Sequence, residues 1–316
     1  MHKFVRSANR VKRALVIAIL SLIQGCDPSG SVEPPHLDAT TPPKTPVEVH
    51  LDATTPPKSP IKLHYVDAAT PPKTPIKLHY PDAATPPQKG GIAVLVSVDW
   101  EGFTLKANDL AAMEQFRRQN KEIPFVHFLN AAYYTKFNAD PPAVTAAIKR
   151  VLLPIDELGL HIHGWRSLFE AAGVKYRNTP RYDNLVWPVT EDRTVDVGET
   201  VQISAYSQAE LERVIAFSVT TLEAHGFGRA KSFRAGAWLA TAPVLQALVA
   251  EHFVYDHSAI PAILLDEGIV GRDWRLPEVL PSVWPDTTIR TQPYTITTSN
   301  GHIIEIPDNG ALADWA

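Results

Sequence analysis

Sulfur is almost absent from this chain. Among 316 residues there is one cysteine, Cys26, and there are two methionines. With Cys26 alone no intramolecular disulfide can form, so the folded part must rely on a buried core. An excess of positive charge is missing too. Thirty Lys and Arg against 34 Asp and Glu leave a net charge of −4, which argues against nucleic acid as a partner. Near the N-terminus the apolar run Ala14–Ile23 is too short to span a bilayer comfortably.

What is present changes along the chain. Lys3, Arg6, Arg10, Lys12 and Arg13 make a basic leader, followed by that apolar run and then Gln24-Gly25-Cys26. This is the pattern of a signal peptide over residues 1–25. Cys26, behind the small Gly25, sits where bacterial lipoproteins carry their lipidated cysteine, and the segment resembles a lipobox. The expectation is an exported protein, held by an N-terminal lipid anchor to the bacterial cell envelope. Asp27 resembles the signal that retains such proteins on the periplasmic face of the inner membrane.

Residues 26–88 read as a tether. Four imperfect repeats begin at His36, His50, His64 and His79, each with Asp-Ala followed by Thr-Pro-Pro. This density of proline forbids helix and central strand and favours extended polyproline II. At about 3.1 Å per residue the stretch would reach on the order of 150 Å, a spacer holding the next domain away from a membrane. A proline-rich ligand segment is the alternative.

From residue 89 to 316 the pattern is that of a folded α/β domain. Apolar runs at 92–98, 125–129, 158–162, 231–234, 253–256 and 303–306 read as strands. Helices are expected at 109–119 behind Asn108, at 142–153, from the capping box Ser207/Glu210 to Gly226, and at 242–250. Residues 166–205 show no periodicity and read as a long irregular segment. Alternating strands and helices imply a parallel sheet, either a barrel or doubly wound.

Polar residues cluster where three of these strands end. Asp99 and Glu101 are two apart, as are His161 and His163, so each pair shares a face of extended chain. A carboxylate and two imidazoles can hold a metal and leave a position for water, which the metal acidifies. The second carboxylate can act as general base, with Arg234 as its partner. Taken singly, each group has a structural reading: a hydrogen-bonded histidine pair, a helix cap with a surface charge, a buried ion pair. His127, inside an apolar strand, reads as a satisfied core histidine.

In order, Ser97-Val98-Asp99-Trp100-Glu101, Leu158-Gly159-Leu160-His161-Ile162-His163, Phe233-Arg234-Ala235-Gly236-Ala237-Trp238 and Tyr255-Asp256-His257-Ser258 resemble the motifs of the polysaccharide deacetylases of the NodB-homology type, the fourth carbohydrate esterase family. The resemblance covers residues 92–310. It implies an incomplete or distorted (β/α) barrel and metal-dependent removal of acetyl groups from an envelope or extracellular polysaccharide. In it Asp99 is the base, Arg234 orients Asp99, and Glu101, His161 and His163 hold a divalent metal, commonly Zn2+. Trp165, Trp238 and Asp256 are assigned to substrate. The sequence departs from the family in three places. Trp165 stands where the second histidine is usual, Glu101 replaces an Asp, and the late Leu-x-His segment that supplies the general acid has no match. Either the C-terminus is truncated or another group protonates the leaving amine; in sequence only His257 and His302 lie near. Two further readings follow from these departures. One is a non-catalytic envelope lipoprotein that binds glycan on a degenerate fold. The other is a metal-dependent C–N hydrolase acting on a small amide.

Overall fold

The computed structural model describes residues 94–183, 194–265 and 275–309, together with Leu20–Ser21 and Lys77–His79. The leader, Cys26 and most of the repeats lie outside the described residues. Among the described residues no helix is long and apolar enough to cross a membrane.

One mixed sheet organises the domain. Its strands are β1 (Val96–Asp99), β2 (Phe125–Leu129), β3 (Glu157–Ile162), β4 (Ser232–Ala235), β5 (Tyr255–Asp256), β6 (Tyr294–Thr298) and β7 (Gly301–Glu305). They lie in the order β1-β2-β3-β4-β5-β7-β6, parallel except for the β6–β7 hairpin. Leu20–Ser21 and Lys77–His79 add short pairings at its two edges. The sheet stays open, as in a distorted barrel rather than a closed one. All five residues of β2 are buried, as expected of a parallel strand covered on both faces.

The helices are α1 (Ala107–Gln119), α2 (Pro141–Val151), α3 (Arg166–Ala171), α4 (Gln208–Ala224), α5 (Ala242–Ala250) and α6 (Leu276–Val283). Local chemistry explains their ends. The Asp140 carboxylate accepts from Ala143 N at 3.0 Å, and Pro141 occupies the first turn, where its missing N–H costs nothing. The Ser207 N–H donates to Glu210 at 2.8 Å, closing the capping box of α4. That helix stops at Gly226, whose φ of 78° is left-handed, with Phe227 N returning to Leu222 O. Helix α1 begins at Ala107, so Lys106 and not Asn108 stands at its cap.

Within the domain three elements lie where no regular structure was expected: α3, α6 and strand β6. Helix α3 sits inside the segment 166–205, held at its start by Asp196, which accepts from Ser167 N at 3.0 Å. Strand β6 joins the expected β7 through a hairpin that turns at Ser299-Asn300. The core runs between the sheet and its helices through Leu160, Phe233, Val214, Leu245 and Leu248, all at most 1% exposed. Trp284 is part of it.

Candidate metal centre

The polar residues gather at the C-terminal ends of the parallel strands, the usual place for a site in such sheets. Asp99 ends β1 and Glu101 lies two residues on; His161 is in β3 and His163 just beyond it. Ligand atoms of Glu101, His161 and His163 lie within 4.8 Å of one another, and all three residues are buried. Nε2 of His161 is 3.6 Å from Glu101 Oε2, and Nε2 of His163 touches the same oxygen. Neither Nε2 makes a hydrogen bond.

The far side of each imidazole is fixed. His161 Nδ1 meets the carbonyl of Arg234 at 2.9 Å, and His163 Nδ1 meets that of Glu199 at 2.7 Å. A carbonyl can only accept, so Nδ1 carries the proton and the Nε2 lone pair points inward. Two imidazole nitrogens and one carboxylate oxygen, converging and otherwise unpaired, fit a divalent metal of the zinc class.

Electrostatics agree with that fit. Burial alone would push the Glu101 carboxyl up, but the adjoining histidines, His163 first, hold it far below the usual carboxylate range. Burial likewise opposes charge on His163, and Glu101 outweighs it, raising its proton affinity. Without a cation, a proton balances Glu101; with one, the cation takes that place.

Backbone geometry seats the ligands. Gly102 has φ 87°, and a Cβ there would fall 2.6 Å from Trp165 Nε1. That indole donates to Glu101 O at 2.9 Å, and Asn130 Nδ2 to the same carbonyl at 3.2 Å. A Cβ on Gly236 would meet the His163 ring at 2.8 Å. Glycine at both positions lets the chain approach the ligands closely.

Beside this group lies the pair Asp99–Arg234. Arg234 Nη1 donates to Asp99 Oδ1 at 3.0 Å and to Ser97 Oγ at 2.9 Å; its Nε donates to His257 O at 3.0 Å. The guanidinium lies over the Phe128 ring at 4.6 Å. Burial would weaken its charge, but Asp99 and then Asp308 hold it. Asp99 is also close enough for its charge to reach His163.

The residues assigned to substrate all face inward. Trp165 is 2% exposed, Trp238 6% and Asp256 0%. Trp165 is spent on Glu101 O and is covered by Lys136 Nζ, 3.8 Å above its ring. Trp238 donates to Asp308 at 3.1 Å, and Asp256 accepts from Ser258 at 2.7 Å. Neither histidine considered as an acid is suited to the task. Burial and then Arg234 push His257 down to about 3, so it is neutral. His302 is exposed and lies at the start of β7, away from the strand end that faces the site.

Sequence reasoning passed over several residues around the centre. Tyr182 donates to Glu199 O at 2.9 Å, behind His163. Tyr182 and Glu199 come from the aperiodic segment, whose length was the one hint of a role. Asp308 follows β7 and lies 3.9 Å from Arg234 Nη2. Burial pushes the Glu199 carboxyl up and brings Lys136 down to about 8.

No known family profile matches the chain, and no curated protein matches it. Among solved structures it is similar to a protein of Mycobacterium smegmatis named as a candidate polysaccharide deacetylase, at 11% identity and a TM-score of 0.35. The likeness covers 65% of this chain and 46% of the other, so this chain matches less than half of that protein's length. A likeness this loose carries no weight for function, which rests on the site itself.

Proposed function

We propose that the domain is a metal-dependent hydrolase that removes acetyl groups from an envelope or extracellular polysaccharide. The observation that carries this reading is the convergence of Glu101, His161 and His163, their Nε2 atoms unpaired, beside an Asp99 held by Arg234. A divalent metal held there, zinc by the donor set, supplies Lewis acidity toward a water and an acyl carbonyl.

The protein's own groups do the rest. Asp99 takes the proton of the attacking water, its carboxylate aimed by Arg234. The tetrahedral centre collapses, and the leaving nitrogen needs a proton. His257 is neutral and His302 lies elsewhere, so Asp99 passes on the proton it has just received. His161 and His163 stay in one tautomer because Arg234 O and Glu199 O hold their Nδ1 protons. The leader and Cys26 deliver and anchor the chain in the envelope, and the proline repeats hold the domain away from the membrane.

The test is acetate release from an N-acetylglucosamine oligomer by the full-length protein with zinc, after chelation, and with zinc restored. Activity lost on chelation and recovered with the metal is the expected result. A protein that binds zinc and the oligomer but releases no acetate would instead be a glycan-binding lipoprotein. Faster cleavage of a small cyclic amide would move the assignment to another C–N hydrolase.

A further inference from the structure

Beyond the metal centre, two carboxyl groups are buried side by side. Asp256 and Glu305 are register partners at the ends of β5 and β7, and both are 0% exposed. One oxygen of each is occupied. Asp256 Oδ1 accepts from Ser258 Oγ at 2.7 Å, and Glu305 Oε1 accepts from Ala259 N at 2.8 Å. The other two, Asp256 Oδ2 and Glu305 Oε2, are buried without a donor among the described residues. Two carboxylates cannot bond to one another, whereas a carboxylate and a carboxylic acid can, and one proton between them satisfies both oxygens.

The occupied oxygens lead to the catalytic pair. Ser258 Oγ also accepts from Ala235 N at 2.9 Å, so Asp256 is tied through it to β4. Glu305 fixes the next residue, Ala259. Just before them, His257 O accepts from Arg234 Nε, and Arg234 in turn holds Asp99. The turn 257–259 is therefore held by the acidic pair at Ser258 and Ala259, and its first residue carries the carbonyl that orients Arg234.

We propose that Asp256 and Glu305 share one proton and are positioning residues, clamping the turn 257–259 so that Arg234 presents Asp99 to the metal centre. This rests on reading Asp99 as the base. Burial pushes Asp256 up to about 6, and burial together with Asp256 raises Glu305 well above the ordinary range. Arg234 on β4 is the cation that both feel; His257 is neutral, and Asp308 faces Arg234 and Trp238. The sign follows. A carboxyl whose proton affinity is raised on folding stabilises the protein at low pH, and that contribution is lost as pH rises through the folded value. Loss of the shared proton would leave two buried anions opposed and release the turn.

Full-length wild type, Glu305→Gln and Glu305→Ala, each zinc-loaded, test this. Gln keeps an acceptor for Ala259 N and offers an N–H to Asp256, needing no shared proton. Infrared spectra at pH 7 should show a protonated carboxyl band in wild type that is absent in Glu305→Gln. The melting temperature of wild type should fall between pH 6 and 9 more than that of Glu305→Gln. Exchange of the Arg234 Nε–H with solvent, followed by NMR, should speed up in Glu305→Ala and stay slow in Glu305→Gln. In deacetylation, Glu305→Ala should lower kcat roughly 10- to 100-fold with KM unchanged, and Glu305→Gln should retain kcat with its alkaline limb displaced upward. An unprotonated wild-type pair, or parallel melting curves, would overturn the shared proton. Unchanged Arg234 exchange in Glu305→Ala would overturn the clamp. These three readouts need no substrate, so an inactive wild type would count against the deacetylase reading alone.

Discussion

Two buried clusters in this domain use the same residue types and reach opposite ends. At the N-terminal side of β2 and β3, Asp156 accepts from Arg117 at 2.6 Å, from Leu153 N at 2.7 Å and from Phe125 N at 3.0 Å. His127 Nε2 faces it at 3.3 Å, and its Nδ1 accepts from Trp100 at 3.2 Å. Burial opposes the charge of Asp156, and His127 with the backbone N–H groups overcomes it, holding the carboxyl low. At the other end of the strands Glu101 is buried too, yet among the described residues it is met only by the two imidazoles. In the first cluster the protein's own donors satisfy the carboxylate of Asp156, while His127 Nε2 and Arg117 Nε make no hydrogen bond. In the second, only the two imidazoles meet Glu101, and their converging Nε2 atoms leave a set that fits a cation. What separates a structural ion pair from a candidate metal centre here is whether the protein's own donors surround the carboxylate, not which residues are present.

That contrast can be broken by substitution. His161→Ala/His163→Ala should abolish zinc binding and all hydrolysis while the protein stays folded, measured as metal content and circular dichroism. Asp99→Asn should keep the metal and lower kcat about 10²- to 10⁴-fold, the worth of a positioned general base. Activity near wild type in that variant would remove Asp99 from the mechanism. Asp156→Ala should do the reverse of the histidine variant. It leaves Arg117 buried without its carboxylate and should cost about 3–5 kcal/mol in denaturant unfolding.

The pH dependence sharpens the comparison. In metal-free protein Glu101 is depressed, so its contribution is present above the ordinary 4.5 and lost as pH falls below it. His163 is raised, so its contribution is full below the ordinary 6.5 and lost as pH rises through the folded value. The chelated protein should gain most from the pair between pH 4.5 and 6.5. Zinc must displace the proton of His163, so added zinc should raise the melting temperature more at pH 8 than at pH 6. Equal shifts at the two pH values would contradict the ligand assignment. The smallest effect is a control. Ser207→Ala should cost about 1 kcal/mol through the α4 cap and leave zinc affinity unchanged by calorimetry.

Much of this architecture was readable before any coordinates. The apolar runs at 125–129, 158–162 and 231–234 coincide with β2, β3 and β4 to within a residue. Helix α5 matches its expected span, and the capping box and Gly226 mark the two ends of α4. Strand β6 was missed although Tyr294–Thr298 is rich in β-branched residues and is followed by Asn300-Gly301, a hairpin signal. Helix α3 was hidden because six residues are too few to show a period, and its start is capped by Asp196 from a distant part of the chain.

The candidate ligand set was legible because two-residue spacing on extended chain is a local rule, independent of the rest of the fold. Sequence alone therefore determined that Asp99 and Glu101 share one face, that His161 and His163 share another, and that Arg234 lies on a later strand. It could not determine that Glu199 and Arg234 would lend their carbonyls to the two imidazoles, or that Trp165 would turn inward onto Glu101 O. Nor could it bring Asp256 against Glu305, 49 positions apart. Those contacts join strands and loops far apart in the chain, and they exist only once the sheet has set its register. Only the tertiary structure decides which buried polar atoms are satisfied, because a donor and its acceptor meet by packing and not by order along the chain.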